Sequence, residues 1–536
     1  MKDEKTRSLV DQQSSNLMTQ GVSRRQVLRG MTMGGLVAAG SGILVPGSSL
    51  AFADTVKGTQ GGKIKVASQS GSTADTLDPA KGSGSTDYTR QYMFYNGLTM
   101  LDESLAPQMV LAESFDTQDA QNWVIKLRKD VNFHDGKPFT SADVVYSLNR
   151  HKDPTTSSKV ASVAAQMVDI KAIGADEVHI SLATKNADLP AILAVSHFLI
   201  VRDGTTDFSK ANGTGPFICQ EFQPGIRSIG TRNPGYWKKG LPYLDEVELF
   251  SIPDEPARVN ALLSGDVHLI NSVNPRSMST LIASPLARVI QSDSGGYTNL
   301  VMRDQLGPVQ NPDFVLGMKS LLNREQILNI ACRGFGTVAN DQPIPKGHRY
   351  YASGLAQRAF DPEKAKFHFK KAGVLGQNIP MVASSAADNS VEMAQLVQLA
   401  GQQVGLKLDI KRVPSDGYWS NHWMKDALGF SNINPRPTAD LIFSLFYQSS
   451  ANWNESGWKN EQFDQLLVAA RGERDESKRK QMYSDMQVLV HDHCGIGIPT
   501  FSSINDACSS KLGGYKPHPL GGFMGYMFAE QVWLEV

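Results

Sequence analysis

Cysteine is scarce in this chain of 536 residues: four stand at positions 219, 332, 494 and 508. They are too scattered for a zinc cluster, which needs ligands paired a few residues apart. Cys494 and Cys508 are placed to bridge in an oxidising compartment, with free buried thiols as the alternative. An excess of either charge is also lacking, since Lys plus Arg and Asp plus Glu both number 53. That balance, without a basic run, argues against nucleic acid or an anionic membrane as partner. Beyond the N-terminal fifty residues no stretch is apolar enough to span a bilayer. Catalytic signatures are missing as well: there is no H-E-x-x-H helix, G-x-S-x-G elbow, Walker loop or dinucleotide-type glycine fingerprint. Gly213-Thr214-Gly215-Pro216-Phe217 has the glycines of a phosphate cradle, but Pro216 removes a backbone donor, so it reads as a tight crossing between domains. No catalytic residue, metal site or cofactor is expected. His491-Asp492-His493-Cys494 ends a helical pattern, where histidines suit the negative end of the dipole without any metal.

What is present begins at the N-terminus. Ser23-Arg24-Arg25-Gln26-Val27-Leu28-Arg29 precedes a weakly apolar segment, Met31 to Leu50, with five glycines and Pro46, and then Ala51-Phe52-Ala53. Paired arginines, an uncharged run and a small-x-small junction have the order of a bacterial twin-arginine export signal. Residues 1–53 read as that signal, with cleavage between Ala53 and Asp54. No cysteine lies at the junction, so an acylated lipoprotein is not expected. The product is expected in the periplasm. Losing the signal removes six basic and three acidic side chains and leaves a slight acidic excess. The remainder exceeds one core and suggests two or three domains of about 150 residues each.

Periodicity fills these domains with alternating strands and helices. Trp123, Ile125 and Leu127 alternate as a strand, and so do Val178, Ile180 and Leu182. Thr140 and Asp143 have capping-box spacing before a helix over Val144 to Asn149. Asp254-Glu255-Pro256 opens a helix that Gly265 stops, and Val267 to Ile270 returns as a strand. Val391, Ala394, Val397 and Val404 mark a helical face ended by Gly405, after which Leu406, Leu408 and Ile410 alternate. Helices follow at Phe463 to Ala470 and Glu476 to Val490. This pattern predicts α/β domains with mostly crossover connections, and an exported α/β chain of this size without a catalytic constellation reads as a receptor rather than an enzyme.

The run V-N-F-H-D-G-K-P-F-T-S-A-D-V-V-Y-S-L at 131–148 resembles the signature of family 5 extracytoplasmic solute-binding proteins, the dipeptide, oligopeptide and nickel receptors of ABC importers. Thr76-Leu77-Asp78-Pro79, Tyr95-Asn96-Gly97-Leu98, the 213–217 segment, Arg232-Asn233-Pro234-Gly235-Tyr236-Trp237 and Ile252-Pro253-Asp254 extend the likeness in order. Within this pattern His134 and Asp135 read as turn builders. The resemblance implies a bilobal periplasmic-binding-protein (Venus-flytrap, type II) fold with an extra subdomain in the first lobe. Mapped here, the first lobe would comprise 54–98, 212–300 and 500–536, its inserted subdomain 99–211 and the second lobe 301–499. A monomer would capture solute by lobe closure and deliver it to permease subunits in the inner membrane.

Peptide receptors of the family use an aspartate shortly after a tryptophan to pair with the ligand's ammonium. Here the matching stretch runs from Gly429 to Asp440, with Phe430 or Asn432 for the tryptophan and Asn434 or Pro435 near the aspartate position. Arg436 lies in the same segment, and the only acid is Asp440. The change reverses the charge preference, toward a carboxylate on an acidic, N-modified or opine-like solute. The alternative is that Arg436 pairs with Asp440 and braces the loop; an unpaired, cleft-facing Asp440 would instead take a cation. Trp419 and Trp423 are expected to wall a pocket or belong to the core. Tyr88 and Tyr92 share a helical face on the first lobe. A metal-chelate receptor and an exported hydrolase on the same fold are the other readings, with no Met/His pocket motif or nucleophile–base pair behind them.

Overall fold

The computed structural model describes residues 58–535. The twin-arginine segment and the Ala53–Asp54 junction lie outside them. Two long strands, Ala287–Met302 and Ile496–Ser509, organise the rest. They pair antiparallel along most of their length, and each serves two different neighbourhoods. At one end Cys508 and Ala507 pair with the strand Leu269–Ile270, which lies parallel to Lys63–Ser68. At the other, Tyr297 to Met302 pair with Leu428–Ile433. One sheet therefore runs through both halves of the molecule.

Alternation along these strands loads both sheet faces. Ile64 and Val66 enter one core with Val247, Leu249 and Cys508, while Ala67, Ile270 and Ala507 enter another on the opposite face. In the other half Leu300, Met302, Leu428 and Phe430 pack with the helix Ser390–Gln403. Tyr297, Val301 and Ile433 pack with the helices Ala439–Phe446, Glu461–Gly472 and Glu476–His493. Between the halves the long strands slip register, from Asp293 opposite Ser503 to Tyr297 opposite Phe501. The slip contains Gly295 and Gly296, and a Cβ at Gly296 would press on Pro435 at 3.2 Å and the Ile433 carbonyl at 3.3 Å. The molecule is bilobal α/β, with its lobes joined by a glycine-bearing bulge.

A four-stranded antiparallel sheet, with neighbours Ala112–Thr117, Asn122–Leu127, Glu177–Leu182 and Met167–Ile173, has its own core around Trp123, Ile125, Val144 and Ile180. The helix Ser141–Arg150 covers it and starts from the capping box of Thr140 and Asp143. His134 and Asp135 build a turn, as the sequence indicates: the His134 N–H donates to the Gly213 carbonyl, and Asp135 pairs with Arg202. Gly213 and Gly215 are a tight crossing, because a Cβ at either would meet the Phe94 backbone at 2.1 to 2.4 Å. The helix Glu255–Ser264 is capped by Asp254 and stopped by Gly265 in the left-handed region.

The expectation of mostly crossover connections is corrected. Of the strand pairings among the described residues, only Lys63–Ser68 with its two neighbours and Asn378–Ala383 with Lys407–Arg412 are parallel. The alternation of strands and helices in sequence gives no information on pairing direction, and short hairpins such as 112–127 are satisfied locally. The four cysteines are buried and unbridged. Among the described residues no helix is long and apolar enough to cross a membrane.

Candidate functional site

The parallel strands Lys63–Ser68 and Leu269–Ile270 end side by side, and ligands of open α/β sheets bind outside such carboxyl ends. The two exits are tied together there, since Gln69 N donates to Asn271 Oδ1 at 2.9 Å. The helix Ser85–Phe94 starts over the same edge, with Thr86 Oγ1 within 2.6 Å of Ser68 Oγ. Tyr88 on this helix is half-buried and packs edge to face on Tyr526 at 5.3 Å. Tyr92, one turn later, donates its hydroxyl to the Ala194 carbonyl at 2.8 Å, and burial drives its pKa upward. The shared face is real, but the two rings have different neighbours.

Opposite the glycine bulge, the strand Leu428–Ile433 runs into Asn434-Pro435-Arg436-Pro437 before the helix Ala439–Phe446, which Thr438 caps. Two prolines and the cap hold this connection without secondary structure. Arg436 is partly buried. Its Nη1 donates to the carbonyls of Asn434 and Pro435, both at 3.3 Å, and its guanidinium lies 5.5 Å from the Phe446 ring centre. Among the described residues no carboxylate stands within ion-pair distance of it. Burial lowers its pKa, so the surroundings disfavour the charge they hold. Asn434 is exposed.

The brace between Arg436 and Asp440 is not formed. Asp440 is buried and accepts from Arg471 Nε at 3.0 Å, because as the second residue of its helix it turns its carboxylate toward the helix Glu461–Gly472. Nor is it free for a cation. Burial raises its pKa, and Arg471 offsets this only in part.

Phe446 begins an aromatic ladder. Trp453 stands 5.6 Å from it, Trp423 6.5 Å from Trp453, and Trp419 5.8 Å from Trp423. Trp419 and Trp453 remain 41% and 44% exposed, so neither is simple core. Trp423 is anchored, donating Nε1 to Glu455 Oε1 at 2.7 Å. The buried Glu455 carboxylate also accepts from Asn299 at 2.8 Å, and burial raises its pKa despite these bonds. Trp453 and Glu455 were not anticipated from the sequence. Their signal was available in Asn452-Trp453-Asn454-Glu455, an acid and an aromatic isolated in an Asn/Ser/Gly loop.

A further cluster joins segments remote in sequence. Asp188, flanking the four-stranded sheet, is buried between Arg349 Nη2 at 3.2 Å and Arg479 Nη2 at 2.6 Å. The closer contact is off the hydrogen-bond axis and acts as a charge contact. Ala187 N donates to the Arg471 carbonyl at 2.7 Å, and Arg474 Nη1 to the Gln118 carbonyl at 2.7 Å. These bonds tie loops beside the four-stranded sheet to the end of the helix Glu461–Gly472 and the turn after it. Among the described residues no group of three or more His, Cys, Asp or Glu is arranged to hold a metal ion. His491 shares Asp492 and Arg358, and Cys494 contacts Ser456.

The family model for bacterial extracellular solute-binding proteins, family 5 (Middle), matches residues 106–455. The glutathione-binding protein GsiB of Pectobacterium atrosepticum is 25% identical over 438 residues, covering 78% of this chain and 84% of that protein. Heme-binding protein A of Haemophilus influenzae is 23% identical over 476 residues, covering 81% and 85%. Among solved structures, HbpA2 from Haemophilus parasuis superposes with a TM-score of 0.79 at 20% identity, over 89% of this chain and all of that one. AgaA of A. tumefaciens R10, in complex with agropinic acid, gives 0.67 at 23% identity, over 89% and 99%. At these identities the two structures speak for the fold.

Proposed function

The chain belongs to the family 5 bacterial extracellular solute-binding proteins, and from that premise we propose that it is the periplasmic receptor of an ABC importer for an anionic, peptide-like solute. The observation that carries the ligand class is Arg436, a partly buried guanidinium with two long bonds to carbonyls and, among the described residues, no carboxylate. A solute carboxylate supplies the missing charge and fits the planar fork in a two-point contact. A free ammonium placed there meets a like charge. Glutathione, bound by relatives at 24–25% identity, and opines such as agropinic acid both carry carboxylates on peptide-like stems. The ladder Trp419, Trp423, Trp453 and Phe446 walls the apolar part of the solute.

Capture proceeds by closure about the bulge at Asp293–Tyr297. A solute held by both lobes is bound better in the closed form, so it shifts the population toward it. Asp188, with Arg349 and Arg479, bridges the lobes away from the bulge and adds to the stability of the closed arrangement. The lobe limits drawn above (54–98, 212–300 and 500–536; 99–211; 301–499) are part of this reading. So are export through the twin-arginine signal, cleavage at Ala53–Asp54, a monomeric state and docking on inner-membrane permease subunits. Replacing Arg24 and Arg25 with lysine leaves precursor in the cytoplasm; unchanged export contradicts that route.

The ligand reading is tested by native mass spectrometry of the purified protein, followed by calorimetry with glutathione, agropinic acid and carboxylate-amidated peptides. Carboxylate-bearing solutes are expected to bind and their amides to bind poorly. A preference for amidated, amine-bearing peptides contradicts it.

A further inference from the structure

The backbone from Phe523 to Tyr526 does something L-residues rarely do. Phe523 (φ 57°, ψ 41°), Met524 (57°, 47°), Gly525 (φ 64°) and Tyr526 (78°, 3°) are left-handed in succession. Left-handed backbone is disfavoured at every residue with a Cβ and is normally confined to single residues. Such strain persists only where the surroundings over-determine it, and it concentrates at functional sites.

The surroundings do over-determine it. Phe523 N donates to Asp506 Oδ2 at 2.7 Å, Met524 N to the Tyr515 hydroxyl at 3.1 Å, and that hydroxyl to Asp506. Asp506 and Tyr515 are buried, and Phe523 fills the first-lobe core. Glycines clear the way. A Cβ at Gly522 would strike Asp506 at 2.8 Å, one at Gly521 the Tyr526 ring at 2.4 Å, and one at Gly525 the His518 ring at 2.5 Å. The turn sits at the exits of the parallel strands, because the same Gly522 Cβ would lie 3.3 Å from Asn271, which ties those exits together. Its product is the position of one side chain: Tyr526, held edge to face on Tyr88, which packs in turn on His197 at 5.4 Å. Both tyrosines are half-buried, yet neither hydroxyl has a hydrogen-bond partner among the described residues, and neither is sealed from solvent. A phenol whose ring is fixed and whose hydroxyl is free is a donor–acceptor awaiting an outside partner.

We infer that Tyr88 and Tyr526 form the first lobe's solute-reading wall, their hydroxyls binding a neutral amide or hydroxyl group of the solute and their rings packing on its stem. This deepens the receptor reading above and rests on it. The left-handed turn is the mount that fixes Tyr526 before any solute arrives, which reduces the ordering cost of binding.

Tyrosine-to-phenylalanine exchange tests this cleanly, since it removes the hydroxyl and keeps the packing ring. Glutathione and agropinic acid serve as probes in calorimetry on the wild type, Tyr88→Phe, Tyr526→Phe and Arg436→Ala. Each tyrosine variant is expected to weaken the probe that binds by about three- to tenfold, the worth of one neutral hydrogen bond, with an unchanged melting curve. Wild-type affinity in both tyrosine variants, beside a weakened Arg436→Ala, overturns the tyrosine wall and leaves the receptor reading standing. Wild-type affinity in Arg436→Ala overturns the receptor's ligand class instead. If neither probe binds the wild-type protein, both fall.

Discussion

Arg479 and Arg436 are both largely removed from water, and the protein treats them in opposite ways. Arg479 meets Asp188 at 2.6 Å, donates to the Ala470 carbonyl and the Tyr350 hydroxyl, and lies over the rings of Tyr350 and Tyr483. Burial works against its charge, but Asp188 with Tyr483 and Tyr350 together outweigh the penalty, and its pKa stands above the ordinary value. Arg436 has two long bonds to carbonyls, one aromatic face and, among the described residues, no anion, and burial lowers its pKa. An internal ion pair satisfies a buried charge once and for all. An unpaired one keeps a standing preference for an anion from outside. The first arrangement joins segments remote in sequence; the second is the one proposed above to select solute.

Breaking the satisfied charge is expected to have the largest effect. Asp188→Ala strands the buried Arg479 and leaves Arg349 only the longer contact with Glu476, and removing one partner of a buried pair typically costs about 3–5 kcal/mol. Thermal and denaturant melts of Asp188→Ala should show that loss, while Arg436→Ala in the same assays shows none. Equal destabilisation by both would erase the distinction between the two arginines.

Asp506 is the acidic counterpart of a disfavoured buried charge, its carboxyl pushed up from 3.8 to about 6 by burial. A carboxyl whose pKa is higher folded than unfolded contributes stability that is full below pH 3.8 and is lost as pH rises through about 6. The span corresponds to about 3 kcal/mol. The difference between wild-type and Asp506→Asn stability, measured from pH 3.5 to 7, should therefore drift in favour of the variant as pH rises. A flat difference would mean that Asp506 titrates as an ordinary carboxylate.

Smaller effects sharpen the recognition side. Arg436→Lys is expected to recover part of the binding that Arg436→Ala loses, because a point charge keeps the attraction without the two-point fork. Trp453→Ala, at an exposed rung of the ladder, should weaken solutes with an apolar stem and leave short acidic ones little changed. Full recovery by lysine, or equal losses for both solute types, would remove the fork or the ladder from the account.

Local features were legible in the sequence and relations across it were not. The capping box at Thr140, the stop at Gly265 and the crossing at Gly213 depend on a few adjacent residues, and they stand where the residue pattern puts them. Arg436 was legible as a charge where a family pattern has the opposite one. Whether its neighbour Asp440 braces it stays open in the sequence, because spacing cannot tell which face of the next helix a carboxylate takes; the carboxylate turns to Arg471. The pairing of Asp188 with Arg479 and the mount of Tyr526 on Asp506 join segments with no mutual pattern in sequence. The left-handed turn had a visible trace, three glycines in Gly521-Gly522-Phe523-Met524-Gly525, but its handedness at Phe523, Met524 and Tyr526 comes from the buried partners that hold it.

The central claim is that Arg436 waits for a carboxylate from outside the chain. It is tested most directly by calorimetry of one carboxylate-bearing solute and its amide against wild type and Arg436→Ala. The account predicts that Arg436→Ala weakens the carboxylate form roughly ten- to a hundredfold, the cost of about 1.5–3 kcal/mol for a charge-assisted bond. It also predicts that the amide binds the two proteins alike. Equal loss of both forms, or of neither, would contradict it.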